Sequence, residues 1–79
     1  MALTKLMLIQ IYNCILDMVH QRIMRQGRIQ PRLVVSYIEA NNVDLFLHMG
    51  KTHAARMGNL QRAFKRLKTS GTLKTVFGL

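Results

Sequence analysis

The first third of the sequence, residues 3–26, predicts one long helix with an apolar face of unusual width. Polar side chains such as Gln10, Asn13 and Asp17 cluster on one arc of a helical wheel, and apolar side chains fill the broad opposite arc. That arc is wider than the roughly 100° stripe of an ordinary surface helix. A helix with so much apolar surface needs two neighbours. In a chain of 79 residues the second neighbour is either another part of the same core or a second copy of the protein, and the pattern leaves both open.

Gly27 is predicted to end this helix, because glycine readily adopts the left-handed conformation of a helix C-terminus. Residues 1–27 are therefore expected to form a long apolar helix that is a possible dimer contact, within a single domain spanning 1–79. Polar residues interrupt its apolar run, so neither a membrane span nor a signal peptide is expected. The single cysteine, Cys14, excludes an internal disulfide framework and favours a reducing, cytoplasmic location.

The second and last helices have clear boundary signals. Pro31 suits the first position of a helix, which is expected to run over 31–40. Asn59 is a competent N-cap for a last helix over 59–69, where Leu60, Ala63, Phe64 and Leu67 form a narrow apolar stripe.

The remaining segments are less determined. Residues 43–50 alternate like a short strand but also suit a short helix capped by Asp44, and 51–58 suit a short helix or a loop. After a turn at Ser70-Gly71, residues 72–79 alternate like a strand. The expected fold class is mainly α, with three to four helices and a short C-terminal β-hairpin or strand.

Charge is strongly segregated along the chain. Twelve Lys and Arg residues face only three acidic residues, which gives a formal net charge of +9. Residues 45–79 contain seven Lys or Arg and no acidic residue. Solubility requires no such separation of sign, so the charge indicates a polyanionic partner more than a merely solvated face.

The stretch LQRAFKRLKTSGTLKTV, residues 60–76, resembles the third helix and following strand of winged helix-turn-helix transcription regulators. The residues that match that family's pattern of helix, glycine turn and strand are Leu60, Arg62, Ala63, Phe64, Leu67, Gly71 and Leu73. The resemblance covers about residues 31–79, with 31–40 as the first helix and either 43–50 or 51–58 as the second. It implies a winged-helix-like fold, and a third helix that enters the major groove of DNA.

Side-chain chemistry nominates the contacts that such a helix would make. Arg62 or Lys65 can pair with guanine, and Gln61 with adenine, in the major groove. His53 is a candidate groove or phosphate contact or simply an exposed side chain, and Thr69 lies on the same face as Gln61. The candidates for phosphate contacts, which position a protein without reading sequence, are Lys51, Arg56, Arg66, Lys68 and Lys74.

Signals of catalysis and metal binding are weak. The three carboxylates are scattered, and the cysteine and the histidines at 20, 48 and 53 match no zinc-binding pattern. No glycine-rich phosphate loop occurs in the sequence. We therefore expect no enzyme, no cofactor and no metal site.

The sequence favours a small, sequence-specific DNA-binding transcription regulator that binds double-stranded DNA, is dimeric through its N-terminal helix, and is cytoplasmic, or nucleoid-associated in a bacterium. The alternative is a protein-interaction module or inhibitor that docks its basic face on an acidic protein partner. RNA ranks lower because the aromatic side chains are predicted to face the core, whereas readers of single strands stack bases on exposed aromatics.

Overall fold

The computed structural model describes residues 4–25 and 28–71, which contain four α-helices. These are α1 (Lys5–His20), α2 (Pro31–Asn41), α3 (Val43–His48) and α4 (His53–Thr69). Helix α2 is central, since it packs against each of the other three helices, and α1 also packs against α4. The same chain therefore supplies both neighbours that the broad apolar face of α1 requires.

One core lies between the four helices. Its fully buried members come from every helix and from the turn after α3, and the largest of them are Ile11, Ile15, Met18, Val34, Ile38, Leu45, Met49 and Leu60. The apolar stripe predicted for the last helix is buried at Leu60, Ala63 and Leu67. Two apolar side chains on α1 stay in solvent, with Leu6 63% and Ile9 48% exposed.

The expected fold class needs a correction. The prediction of a mainly helical protein is confirmed, but the β-hairpin or strand added to it is wrong, because residues 4–25 and 28–71 hold four helices and no strand. The β-type backbone pairing within these residues is one isolated antiparallel bridge between Arg25 and Arg28. The four helices bury their apolar faces against one another, so their core needs no sheet to cover it. The segment predicted as a strand, 72–79, lies outside the described residues.

Helix α1 is shorter than expected. The Thr4 hydroxyl oxygen accepts a hydrogen bond from the Met7 amide at 3.1 Å and caps the start of the helix. The helix ends at His20, because Arg22 adopts a left-handed conformation with φ of 60°. The Arg22 amide then donates to the Val19 carbonyl, and the Ile23 amide to that of Met18.

Those two bonds form the pattern of a Schellman C-terminus. The left-handed residue is normally glycine, and an arginine at this position gives no sequence signal for a helix end. Gly27, the predicted terminator, lies outside the described residues.

The segment over 43–50 contains a short helix and not a strand. Asn42, rather than Asp44, caps α3, since its side-chain oxygen accepts from the Leu45 amide at 3.2 Å. Leu45 and Met49 are buried four residues apart, which is the spacing of one helix face, while Val43 is exposed. Helix α2 confirms its prediction to within one residue, with Pro31 in its first turn.

Helix α4 is one continuous element that joins two segments separated in the prediction. Its cap is Thr52, whose hydroxyl oxygen accepts from the Ala55 amide at 3.1 Å. The predicted start at Asn59 is wrong, because Asn59 lies inside the helix and is buried, with only 4% of its surface exposed. The predicted end at Thr69 is confirmed, and Gly71 follows with φ of 82°.

Candidate nucleic-acid interface

The turn between α3 and α4 occupies residues 49–52 and depends on a glycine. Gly50 has φ of 143°, a conformation that side-chain-bearing residues rarely adopt. A Cβ atom at this position would also lie 2.8 Å from the Cβ of Ala55, in the first turn of α4. The backbone of the turn therefore approaches α4 closely, and this contact fixes how the two helices are joined.

Asn59 links α4 to this turn through a buried side-chain contact. Its side-chain nitrogen donates to the Met49 carbonyl, and its side-chain oxygen accepts from a guanidinium nitrogen of Arg62. Both polar ends of this buried side chain are thereby satisfied, as a buried amide requires. One bond sets the position of α4 relative to α3, and the other holds a terminal guanidinium nitrogen of the exposed Arg62 side chain.

Arg56 holds the same turn from the outside. Its Nε atom donates to the Gly50 carbonyl at 3.1 Å, and one terminal nitrogen donates to the Lys51 carbonyl at 3.3 Å. The guanidinium carbon lies 4.1 Å from the ring centroid of Phe46, a cation–π contact. The sequence predicted Arg56 as a phosphate contact, whereas the structure places three of its interactions within the protein.

The outward face of α4 carries the main group of predicted contact residues. Leu60, Ala63 and Leu67 point into the core, and the side chains on the opposite side of the helix are exposed. With 100° between successive residues, the centre of that outer face holds Gln61, Arg62, Lys65 and Thr69, flanked by Lys68 and Arg66. We call this set the α4 basic face.

The other predicted contact residues lie apart from this face or outside the described residues. Lys51 and His53 are exposed beside the first turn of α4, at the opposite end of the helix from Lys68. Lys74 lies outside the described residues. On the outer side of the first half of α4 the residues are small, with Ala54 exposed and Gly58 half-buried.

Sequence reasoning missed Asn59 and Arg56 as determinants of the turn. Both assignments require knowing that α4 begins at His53, after its Thr52 cap, because position 59 then lies inside the helix and not at its start. The available signal was Gly50 followed by Thr52, a turn glycine and a competent N-cap two residues later.

Two further observations within residues 4–25 and 28–71 concern metal binding and thiol chemistry. No group of three His, Cys, Asp or Glu side chains there could hold a metal ion. Cys14 is buried, and this burial raises the pKa of its thiol above the ordinary value. The nearby Asp17 carboxylate raises this pKa further, by a smaller amount. A thiol with a raised pKa is a poor nucleophile at neutral pH.

No helix within the described ranges is long and apolar enough to cross a membrane. Comparisons of the chain with protein-family models, with curated proteins and with solved structures found no significant match.

Proposed function

We propose that this chain is a small helix-turn-helix protein that binds double-stranded DNA and regulates transcription. The α4 basic face is the observation that carries the proposal. It presents exposed cationic and amide side chains on one side of a 17-residue helix whose other side is buried. A helix of that length spans about 25 Å, and the major groove of DNA is wide enough to admit it.

The connection between α3 and α4 supports the same proposal. The four-residue turn 49–52 between α3 and α4 has the connection length of a helix-turn-helix motif, in which the second helix is the recognition helix. Gly50, Asn59 and Arg56 hold that turn in one geometry through a close backbone contact and hydrogen bonds. A rigid turn matters because base recognition requires the helix to enter the groove at a fixed angle.

Roles within the α4 basic face follow from side-chain chemistry. Gln61, Arg62 and Lys65 would face base edges, with Arg62 restrained by its bond to Asn59. Lys68 would contact a phosphate near the end of the helix. Ala54 and Gly58 present little bulk on the same side, so the first half of α4 would approach the groove closely.

A homodimer is part of the proposal. Helix-turn-helix proteins commonly bind paired half-sites as dimers, which extends the DNA surface that a small module covers. The exposed Leu6 and Ile9 of α1 support a contact between two copies through the N-terminal helix. Such a regulator would act in the reducing cytoplasm, which fits the free thiol of Cys14.

A salt titration with two matched variants tests the proposal. Lys65→Gln removes an exposed cation from the α4 basic face, and Lys5→Gln removes one from the first turn of α1, so both lose the same charge. For five phosphate contacts per protomer, wild-type duplex affinity should fall with a log–log slope of about −4.5 in salt, at roughly −0.9 per contact.

We expect Lys65→Gln to weaken duplex binding about 5- to 150-fold, the equivalent of about 1–3 kcal/mol for a lost base contact, and Lys5→Gln to match the wild type. Affinity that does not change with salt, or an equal loss in the two variants, would contradict the assignment of α4 as the DNA-contacting helix.

A further inference from the structure

Four arginines lie in the connection between α1 and α2 and in the first turn of α2, and none of them belongs to the α4 basic face. They are Arg22, Arg25, Arg28 and Arg32, all exposed, and we call them the arginine turn. No acidic residue occurs between Asp17 and Glu39 in the sequence, so none adjoins the turn along the chain.

The first of these arginines occupies a backbone conformation that favours glycine. Arg22 has φ of 60° in the left-handed region and closes the C-terminus of α1. Glycine adopts this conformation without the steric penalty that a Cβ atom introduces. An arginine is therefore less favourable for folding at this position than a glycine.

Two more arginines oppose each other directly. Arg25 and Arg28 pair across the isolated antiparallel bridge, with the Arg28 amide donating to the Arg25 carbonyl at 3.1 Å. Residues paired in this way carry their side chains on the same face, and like charges directly opposite destabilise the pairing. The bridge therefore directs the side chains of Arg25 and Arg28 from the same face of the turn.

The fourth arginine stands where a helix prefers an anion. Arg32 is in the first turn of α2, which contains no acidic residue and whose N-cap residue, Gln30, makes no side-chain capping bond. The helix dipole places partial positive charge at this end, so a cation there is unfavourable. Folding is thus opposed by three features of the arginine turn, namely the left-handed backbone at Arg22, the like charges across the bridge and the cation at the start of α2.

The base of the turn is nevertheless anchored in the protein. Met24 is buried, and its sulfur accepts a hydrogen bond from the Gln30 amide at 3.3 Å. The Gln21 side-chain nitrogen donates to the Tyr37 hydroxyl at 3.1 Å, which links the end of α1 to α2. The arginines are therefore presented from an anchored connection.

We infer that the arginine turn binds the phosphate backbone of double-stranded DNA, as a second contact separate from α4. The inference rests on the proposed function for its choice of polyanion. Arginine suits this role because its planar guanidinium donates two parallel hydrogen bonds to a phosphate. Bound phosphates would neutralise the repulsion across the bridge and the charge at the start of α2, so the features that oppose folding favour binding.

The test compares two double variants that lose the same charge. One removes the arginines of the bridge, Arg25→Gln with Arg28→Gln, and the other removes two lysines of the α4 basic face, Lys65→Gln with Lys68→Gln. Duplex affinity is measured for both and for wild type between 50 and 200 mM salt, and thermal unfolding is followed without DNA. Arg25→Lys with Arg28→Lys keeps the charge as a further control.

The bridge variant should lose about 1.8 from the log–log salt slope, at roughly 0.9 per phosphate contact. The ratio of wild-type to variant duplex affinity should then fall about twelvefold between 50 and 200 mM salt, as that slope difference requires. Its unfolding temperature should stay the same or rise, and the lysine control should keep most of the wild-type slope.

A wild-type slope in the bridge variant overturns the inference, and it leaves the proposed function standing if the α4 variant loses affinity. The reverse pattern, with slope lost only in the bridge variant, supports the arginine turn and removes α4 as the recognition helix. A lower unfolding temperature in the bridge variant assigns these arginines to folding and overturns the inference. Tighter binding of wild type to single-stranded RNA than to duplex overturns the choice of DNA.

Discussion

Replacing Asn59 by aspartate distinguishes the observed role of this side chain from the one that the sequence suggests. As an N-cap, asparagine and aspartate are nearly equivalent, and the change would leave stability almost unaltered. In the structure, the Asn59 nitrogen donates to the Met49 carbonyl inside the protein. Aspartate is the same size but has no donor when ionised, so the carbonyl would lose its partner and face a carboxylate.

The size of the effect follows from this one bond. Leaving a buried carbonyl unpaired costs about 1–3 kcal/mol. The new carboxylate also loses hydration, while its attraction to Arg62 offsets part of that loss. We therefore expect Asn59→Asp to lower the free energy of unfolding by about 1–3 kcal/mol. For a chain of this size, that corresponds to a fall in unfolding temperature of roughly 4–24 °C.

Thermal unfolding followed by circular dichroism measures this difference. The matched control is Gln61→Glu, which makes the same change of charge two residues further along α4 at an exposed position. A surface substitution of this kind should stay within about 0.5 kcal/mol of wild type. Equal unfolding temperatures for the two variants would refute the buried contact and restore Asn59 as a cap.

Three further changes probe other parts of the fold. Gly58→Ala should stabilise the protein by about 0.5–1 kcal/mol, because glycine weakens a helix interior and a Cβ at this position meets no atom within 4 Å; a lower urea midpoint would contradict this. Arg56→Lys should destabilise it by about 1–2 kcal/mol in the same assay, because lysine cannot make the two hydrogen bonds to the turn and stack on the Phe46 ring together. An unchanged midpoint would show that these contacts contribute nothing. Wild-type stability should fall above about pH 8.5, because Cys14 has a raised pKa in the folded state, so the unfolded chain loses its thiol proton first. Cys14→Ala should show a shallower fall between pH 7 and 10, and parallel curves would exclude the thiol as the cause.

Sequence periodicity located most of the helical structure because helices bury residues at a regular spacing. The limits of α2 followed from Pro31 and its apolar positions, and the buried stripe of α4 followed from Leu60, Ala63 and Leu67. The exposed positions of the α4 basic face could then be predicted as the residues opposite that stripe. The same reasoning missed the end of α1, because Arg22 takes a conformation for which its identity gives no signal.

The sequence by itself determined that this is a basic, mainly helical chain and which side of its last helix is apolar, because charge and periodicity are local properties of the residues. Tertiary structure alone decided that Asn59 and Arg56 hold the turn before α4, and that Arg25 and Arg28 stand opposite each other. These features depend on which groups meet across the fold. An asparagine that would cap an isolated helix becomes a buried contact once the carbonyl of Met49 lies beside it.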